Sequence, residues 1–460
     1  MHDAHTEEHP LIVEAGGISY VAAEDRHGDP INQFTIRCSP VLYLAPIFLG
    51  GAAIPKGLGL SGSISAIIAA NVLGGIAAGI CAAMGPKRGM PQLVMGRGSF
   101  GYLGNFLPAI FATILFIGYF SVGTIVGAEP IASMTGLPYN PLVIVVGGTS
   151  ILLAVYGYSL LHLTGRWVTN AGLILLLITT GFALYKGAGP QAAATLNGSE
   201  YWFAWLSFFA LIFSFTVSWM LYASDYSRYL PEATPSLKVF GYAFSGLLIG
   251  STWMMGLGAL LATVGAGNPL HGLQETLPTL LLWVVLISLI ITSITHNSIN
   301  LYSCAMASLT WDLPLRRRWT VVVAGTGGTI AAVFLGGTNF MNNFGQFLTL
   351  MSYFMAPWLA IMLIDYFRRD PNEKPDAFYD RDGPFAGVMW QGMSSFLIGI
   401  VVSIPFMAND FYTGPIASGF GGADTSYFVS FLVAGAIYLA IRSPRRSAAA
   451  ATLDGNPTRT

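Results

Sequence analysis

The feature that most constrains this sequence is a series of apolar runs, each about 20 residues or longer, between residues 35 and 442. They lack the two-residue alternation of a transmembrane barrel, which favours helices. Charged residues make up 9% of the chain and the mean hydropathy is +0.62, whereas a soluble domain carries roughly 25% charged residues. Because a spanning segment must pair its own backbone polar groups, the sequence predicts an all-α polytopic membrane protein.

The apolar runs predict twelve transmembrane helices, called spans 1 to 12 here. The spans lie at about 35–54, 64–84, 101–133, 141–161, 167–186, 203–223, 237–265, 278–308, 319–338, 343–366, 386–408 and 425–442. Their bounds are good to about three residues. No connection is long enough for a separate soluble domain. The first 34 residues contain no apolar segment, so no cleavable signal peptide is expected.

The basic residues support this set of spans. If the N-terminus is cytoplasmic, 19 of the 21 Lys and Arg residues fall on the cytoplasmic side, and only Lys56 and Lys186 fall on the outer side. A miscounted helix would break this alternation, because positive charge collects in cytoplasmic loops. We therefore expect a multi-pass protein of the cell's inner (plasma) membrane with cytoplasmic tails at 1–34 and 443–460.

Two spans contain helix breakers near their centres. Span 1 holds Pro40 and Pro46, and span 6 contains the polar and aromatic stretch 214–219 ahead of Asp225. Spans 1 and 6 would begin the two halves if the core were a repeat of five plus five helices, a repeat that sequence identity does not reveal. Interrupted helices at matching positions of two repeats indicate a substrate site at the membrane centre. The sequence therefore points to a transporter with a site at these breaks.

Polar side chains concentrate in spans 3, 6 and 8, and intramembrane polar residues usually face the interior of a helix bundle. Span 8 is the most polar of all and holds His296 and Asn300, four residues apart and so on one helix face. Aromatic rings can sandwich a flat heterocycle, while amide, hydroxyl and imidazole groups match its edge. These residue types suit a nucleobase, a hydantoin or a similar ring.

At these residues the chain resembles the nucleobase:cation symporter-1 family, the purine-cytosine permease-like transporters. The stretches that carry the resemblance are 89–108 (GMPQLVMGRGSFGYLGNFLP), 118–128 (GYFSVGTIVGA), 219–231 (WMLYASDYSRYLP), 297–303 (NSINLYS) and 353–367 (YFMAPWLAIMLIDYF). The resemblance implies a leucine-transporter-type fold of two inverted five-helix repeats, about 35–186 and 203–366, in a transport core of residues 35–366. It also implies that spans 11 and 12 (386–442) are appended, and that the site lies between spans 1, 3, 6 and 8.

The resemblance assigns candidate residues by motif. Tyr119 replaces a ring-stacking tryptophan, and Gly123 replaces an amide one turn later. Trp219 matches an aromatic residue of fungal-type members, and Thr216 falls where bacterial members place theirs. His296 and Asn300 fall on asparagine positions. The substrate-binding candidates are Tyr119, Gly123, Phe215, Thr216, Ser218, Trp219, His296, Asn297 and Asn300.

The coupling ion is a separate question. Sodium-coupled members use carbonyls of span 1 and two hydroxyls before the span 8 asparagine. Thr295 keeps one hydroxyl, whereas Ile294 replaces the other. Proton coupling is therefore the preferred hypothesis and sodium the alternative. The coupling candidates are Tyr43, Pro46, Thr295 and His296, the last because an ordinary imidazole changes charge near pH 6.5.

Other functions fit the sequence less well. No segment provides the continuous polar lining of a channel, and no cluster of acid, base or metal-ligating residues indicates an enzyme. The three cysteines match no metal site or disulfide framework. No cofactor, metal or nucleic-acid partner is expected, and a monomer in the bilayer should be functional. The serious alternative is a transporter of the same fold for an amino acid or a vitamin precursor, with Glu129 the one acid available in span 3.

Overall fold

The computed structural model describes residues 17–156, 158–313, 316–337, 340–370 and 373–442, with the side chains of 156–169 left out. The predicted tail residues 1–16 and 443–460 lie outside this set.

The helices of the first half are α1 (Asn32–Cys38), α2 (Leu44–Gly51), α3 (Gly59–Arg88), α4 (Gln92–Met95), α5 (Arg97–Phe100), α6 (Phe106–Thr135), α7 (Tyr139–Tyr156) and α8 (Tyr158–Lys186). Those of the second half are α9 (Gly198–Val217), α10 (Ala223–Ser227), α11 (Ser236–Val264), α12 (Pro269–Thr276), α13 (Thr279–Thr310), α14 (Arg317–Leu335), α15 (Phe340–Arg368), α16 (Trp390–Ser403), α17 (Pro415–Gly419) and α18 (Ser426–Ile441).

Seven helices in the described part of the chain are long and apolar enough to cross a membrane: α3, α6, α9 with α10, α11, α13, α14 and α15. An eighth candidate is the pair Asn32–Val41 and Leu44–Gly51, bent by 66°. Four shorter apolar helices follow the order of the remaining predicted spans: Tyr139–Val155, Asn170–Lys186, Trp390–Phe406 and Ser426–Ile441. The polytopic all-α prediction is confirmed, while the count of twelve spans stays a prediction.

Some predicted bounds differ from the helices. Span 3 was placed from residue 101, but α6 begins at Phe106 because Gly101, with a φ of 83°, ends α5. Span 11 was placed from residue 386, but α16 begins at Trp390. The preceding Met389 uses its amide to donate to the carbonyl of Phe100. In both places the residues before the helix are apolar because they pack against a neighbouring segment. From the sequence alone they are indistinguishable from the first residues of the helix, so the predicted span begins too early.

The helices pack in three groups. In group A, α3 and α11 pack on one another and carry α1, α2, α9 and α10. In group B, α6 and α13 pack together with α7, α8 and α14. In group C, α15, α16 and α18 contact one another, and a hairpin with β1 (Ala408–Asn409) and β2 (Tyr412–Thr413) lies between α16 and α18. Group A thus contains spans 1, 2, 6 and 7, and group B spans 3, 4, 5, 8 and 9. Such pairing of spans five apart is what two five-helix repeats produce.

Span 1 is broken because its centre cannot continue as a helix. Ser39–Val41 form a 3₁₀ turn, and Tyr43 is extended with φ −142° and ψ −178°. Pro46 lies in the first turn of α2, where its missing N–H leaves no helical hydrogen bond unmade. Span 6 is interrupted by the 3₁₀ segment Ser218–Tyr222 between α9 and α10. Both breaks lie where the prolines and the polar stretch predicted them.

Two glycines let α2 and α11 touch backbone to backbone. A Cβ at Gly50 would lie 1.9 Å from the carbonyl oxygen of Met255, and a Cβ at Gly258 would lie 1.9 Å from that of Ile47. No other residue fits at either position without moving a helix. Small residues permit this approach in membrane helix pairs, where van der Waals packing drives association. The half of span 1 beyond its break is therefore fixed to span 7.

A buried charge network joins α15 to α18. The Asp365 carboxylate accepts hydrogen bonds from Arg369 at 2.8 Å (Nε) and from the Tyr438 hydroxyl at 2.9 Å, and it lies 3.3 Å from Arg442 Nη2. Arg369 also pairs with Glu373 at 2.8 Å. Asp365 and Arg369 are both buried, so each charge depends on the others for its solvation.

We expect Asp365→Asn to destabilise the protein by about 3 kcal/mol, because removing one partner of a buried pair leaves an uncompensated charge. Thermal unfolding of the purified protein in detergent measures the change. The matched control is Asp376→Asn, at an exposed carboxylate, which should leave the melting temperature unchanged. Equal melting temperatures for the two variants would contradict the importance of this network.

Candidate functional site

The break of span 1 contacts α13 through two stacked rings. The phenol of Tyr43 lies on the imidazole of His296, with ring centroids 4.4 Å apart and planes at 25°. Tyr43 is 1% exposed and His296 is 6% exposed. Tyr43 stands at the break because the chain is extended there, and His296 lies near the middle of α13. This contact joins group A to group B at the predicted depth of the site.

Four polar atoms of Tyr43 and of the central part of α13 have no hydrogen-bond partner in the described part of the protein. They are the Tyr43 hydroxyl, His296 Nδ1, Asn297 Oδ1 and Asn300 Nδ2. All four residues are buried. Buried polar groups are nearly always paired with protein or ordered water, and leaving one unpaired costs about 1–3 kcal/mol. Three of the four atoms lie on one helix and the fourth lies at the break of span 1, so this part of the structure offers donors and acceptors to a polar ligand.

Tyr119 of α6 faces the break of span 6. Its hydroxyl and that of Ser218 share a hydrogen bond of 2.9 Å, in which either oxygen can donate. The rings of Phe215 and Phe347 meet the Tyr119 ring edge to face, each with a centroid distance of 5.9 Å. Three of these four residues were predicted from the sequence. Phe347 of α15 was not, and no local signal singles it out.

Gly123 makes room for Asn297. A Cβ at residue 123 would lie 2.0 Å from Asn297 Oδ1. The other side of the Asn297 amide donates from Nδ2 to Thr124 Oγ1 at 3.0 Å. The family resemblance places an amide at position 123, and here an amide oxygen from α13 lies directly before the glycine. The amide side chain that the resemblance places at position 123 is absent from this chain, and the Asn297 amide lies beside Gly123 instead.

Trp219 lies in the 3₁₀ segment of span 6 and is buried, tilted by 40° against Tyr222 at a centroid distance of 5.4 Å. Tyr222 in turn meets Phe116 of α6 at 5.2 Å. Tyr222 was missed as a site residue although it lies within the quoted stretch 219–231. The aromatic wall between spans 3 and 6 is thus longer than the sequence predicted.

Other candidates are placed differently. The Thr216 hydroxyl donates to Asn71 Oδ1 of α3, and Asn71 donates to Thr252 at 3.2 Å. Thr216 therefore faces the interior of group A. The Thr295 hydroxyl donates to the carbonyl of Ile291 within its own helix at 2.9 Å. Asn71, an isolated amide in an apolar span, was not predicted, although intramembrane polarity is the signal that would have found it.

Two cavities lie on the α2 side of the breaks. One, of about 540 Å³, is lined by α2, α9, α15 and the hairpin region, and includes Phe48 and Lys56. The other, of about 340 Å³, lies between α2 and α9 and shares Lys56. Phe48 packs edge to face on Phe340 of α15 at 6.2 Å. The two cavities are together called the vestibule here, and Lys56, which lines both, is one of the two basic residues that the sequence predicts on the outer side.

Sequence comparison supplies a family for this arrangement. Residues 20–430 match the family described as permease for cytosine/purines, uracil, thiamine, allantoin. The chain is 31% identical over 457 residues to YxlA of Bacillus subtilis, which is named as a presumed purine-cytosine permease, covering 95% of this chain and 97% of that one. It is 24% identical over 463 residues to the purine-cytosine permease fcyB of Emericella nidulans, covering 94% and 89%.

Structural comparison shows the same fold in a solved transporter. Mhp1, a nucleobase-cation-symport-1 family transporter in a closed conformation with bromovinylhydantoin bound, superimposes with a TM-score of 0.73. The match covers 93% of this chain and 94% of Mhp1 at 16% identity. The predicted leucine-transporter-type fold is therefore confirmed.

The contact between Gly123 and Asn297 gives a direct test of the site. We expect Gly123→Ala to displace the Asn297 amide and to lower solute uptake about tenfold, because a Cβ 2.0 Å from Oδ1 forces that side chain to move. Gly181→Ala is the matched control, since nothing lies within 4 Å of a Cβ there. Uptake into cells, normalised to the amount of protein in the membrane, measures both. Wild-type uptake by Gly123→Ala would show that Asn297 is not held in this position.

Proposed function

The chain belongs to the family of permeases for cytosine and purines, uracil, thiamine and allantoin, and from that premise we propose that it is a symporter importing a nucleobase or a related uncharged ring by alternating access. The observation that carries the proposal is the set of four unpartnered polar atoms on α13 and at the break of span 1, where Tyr43 stacks on His296. Unpaired donors and acceptors together with aromatic side chains suit a flat ring with a polar edge.

In this proposal the ring lies between the aromatic side chains of spans 3 and 6. Tyr119 and Trp219 supply the faces, with Phe215 and Ser218 holding Tyr119 in place. Aromatic contacts of this kind contribute about 0.5–1.5 kcal/mol each beyond area burial. The edge of the ring is read by the amides of Asn297 and Asn300 and by His296. Thr216 supports span 6 through Asn71 and does not take part in the contact with the ring.

The vestibule and the packing groups indicate how access alternates. The 540 Å³ cavity reaches Phe48 of α2, whose ring packs on Phe340 of α15. Movement of group A against group B would open the site to one side at a time. This assignment places the vestibule outside, both termini in the cytoplasm and the protein in the cell's inner (plasma) membrane as a functional monomer without a cofactor. The distribution of Lys and Arg supports that orientation.

We favour protons as the coupling ion. Ile294 removes one of the two hydroxyls that the family's sodium-coupled members use. The remaining hydroxyl, of Thr295, donates to Ile291, and its oxygen is the one side-chain ligand left of the two. His296 contacts Tyr43 at the break of span 1, next to the first turn of α2 that holds Pro46, and a coupling ion would meet the substrate site there. A proton carried on this imidazole would change the charge of the wall that faces the solute.

The substrate class can be tested by uptake of a radiolabelled ring in competition with cytosine, uracil, hypoxanthine, allantoin, thiamine and leucine. We expect competition by the uncharged rings and none by leucine. Trp219→Ala and Asn300→Ala should abolish uptake while membrane expression is retained, since one removes a stacking face and the other an edge contact. Leucine transport, or normal uptake by either variant, would contradict the assigned site.

The coupling ion can be tested with proteoliposomes. An inward pH gradient without sodium should drive accumulation of the ring, and a sodium gradient at equal pH should not. His296→Gln keeps a polar side chain but cannot take up a proton near neutral pH. We expect this variant to exchange labelled for unlabelled ring while failing to accumulate it. Strict sodium dependence of the wild type would contradict proton coupling.

A further inference from the structure

A buried amide in span 2 lies outside the proposed site and yet connects to both broken spans. Asn71 is near the middle of α3 and is fully buried. The five residues before it, 66–70 (AIIAA), are all apolar. A polar side chain is costly in such a helix and usually faces the interior of the bundle. The partners of this amide on other helices therefore show what it does.

The two ends of the Asn71 amide bind two different spans. Its Oδ1 accepts a hydrogen bond from the hydroxyl of Thr216, in the last turn of α9 before the break of span 6. Its Nδ2 donates to the hydroxyl of Thr252 at 3.2 Å and lies 3.6 Å from the sulfur of Met255, both in α11. Span 2 thus joins span 6 to span 7 through one side chain.

Span 2 also supports the backbone of span 6 at the same point. Gly74 comes three residues after Asn71 and so lies close to it on one face of α3. A Cβ at Gly74 would lie 2.8 Å from the Cβ of Thr216 and 3.0 Å from the backbone nitrogen of Val217. The end of α9 therefore rests directly on α3, in the register that the hydrogen bond to Asn71 specifies.

Thr216 has neighbours in the chain that reach the site. Phe215 meets the ring of Tyr119 edge to face at 5.9 Å, and Ser218 shares a hydrogen bond of 2.9 Å with the Tyr119 hydroxyl. Because Phe215 and Ser218 lie within two positions of Thr216, a shift of the backbone at Thr216 moves both of them. The orientation of Tyr119 thus depends on where span 2 holds span 6.

The other broken span is connected to the same amide through Met255. The backbone of Met255 touches α2, because a Cβ at Gly50 would lie 1.9 Å from the Met255 carbonyl oxygen. The side chain of Met255 lies against Asn71. Asn71 is therefore linked both to the helix that follows the break of span 1 and to the helix that precedes the break of span 6.

We propose that Asn71 is a positioning residue of the transporter, which holds the two broken spans in register with each other. It acts through Thr216 on span 6 and through Met255 on span 1, and it does not contact the solute. This role rests on the proposed function, because the register of the two breaks decides whether Tyr43 and Tyr119 face the same solute. A hydrogen bond suits the task because it fixes direction as well as distance.

The loss of this amide should change position more than stability. The Thr216 hydroxyl also lies 3.1 Å from the carbonyl oxygen of Ile212 in its own helix, and this acceptor remains when the amide is removed. No buried hydroxyl at Thr216 is then left unpaired, which is the costly outcome in a protein interior. The end of α9 would instead be free to shift along α3.

The test measures KM and Vmax for uptake of radiolabelled cytosine or hypoxanthine, with Vmax expressed per molecule in the membrane. We expect Asn71→Ala to raise KM about tenfold, a change on the scale of a strong hydrogen bond between membrane helices, and to change Vmax less than about twofold. The matched control is Ser63→Ala, fully buried on the same helix, whose hydroxyl donates to the carbonyl of Gly59 in α3 at 2.7 Å. Its KM and Vmax should equal those of the wild type.

A double variant shows whether Asn71 acts through Thr216. Thr216→Val keeps the shape of the side chain but removes the hydroxyl, so it breaks the same hydrogen bond from the other side and should raise KM as well. Added to Asn71→Ala, it should raise KM by less than about a further twofold, because two residues that share one interaction are not additive. Thr216→Val alone provides the test if Asn71→Ala fails to reach the membrane.

A glycine variant displaces α9 without removing any polar group. Gly74→Ala would place a Cβ 2.8 Å from that of Thr216, so we expect it to raise KM in the same direction as Asn71→Ala. Gly241→Ala is the control, since nothing lies within 4 Å of a Cβ at that position of α11. It should keep the wild-type KM.

Two results would overturn the proposal. A wild-type KM in Asn71→Ala and Thr216→Val, with a lower melting temperature or less protein in the membrane, would show that the amide only supports the fold. Additive changes in KM would show that Thr216 acts on the solute independently of Asn71. Wild-type protein that carries neither ring would instead contradict the proposed function, and the same comparison of KM values with the solute that it does carry would then decide the role of Asn71.

Discussion

The structure depends on the extended backbone at Tyr43, where span 1 stops being a helix. A continuous helix would keep its polar groups within itself and would place a regular surface against α13. The break instead turns the Tyr43 ring onto His296 and leaves polar atoms of both residues unpaired. Because the two rings belong to different packing groups, the same contact that defines the site also joins the parts that alternating access must separate. Binding and movement are thus linked at one pair of side chains.

Much of this architecture could be predicted from sequence alone. Hydropathy and the distribution of basic residues predicted the polytopic helical fold, and Pro40 and Pro46 predicted the break of span 1. The polar residues of span 8 were correctly expected to be buried, as His296, Asn297 and Asn300 are. These features follow from the bilayer, which imposes strict rules on apolar length, charge and backbone pairing. These rules concern each segment by itself. They can therefore be applied to the sequence without knowing which segments contact one another.

Contacts between segments could not be predicted in the same way. Thr216 follows the helical period of α9 toward Asn71, whereas Ser218, the first residue of the 3₁₀ segment, reaches Tyr119. A break changes the direction of side chains by an amount that the sequence does not specify. Likewise, the space before Gly123 is taken by Asn297, which is 174 positions away in the numbering of the chain. The role of the glycine depends on a neighbour that only the folded structure identifies.

The backbone contact between α2 and α11 has a consequence for how the transporter works. Since Gly50 and Gly258 leave no side chain between the two helices, there is no layer of atoms along which they can slide. The half of span 1 before the break is held to the same helix, because a Cβ at Gly246 of α11 would lie 2.4 Å from the carbonyl oxygen of Phe34 in α1. Both halves of span 1 are therefore tied to span 7, and alternating access leaves the boundary between group A and group B as the place where parts shift. The rings of Tyr43 and His296 meet across that boundary, so a solute bound beside them touches both moving parts.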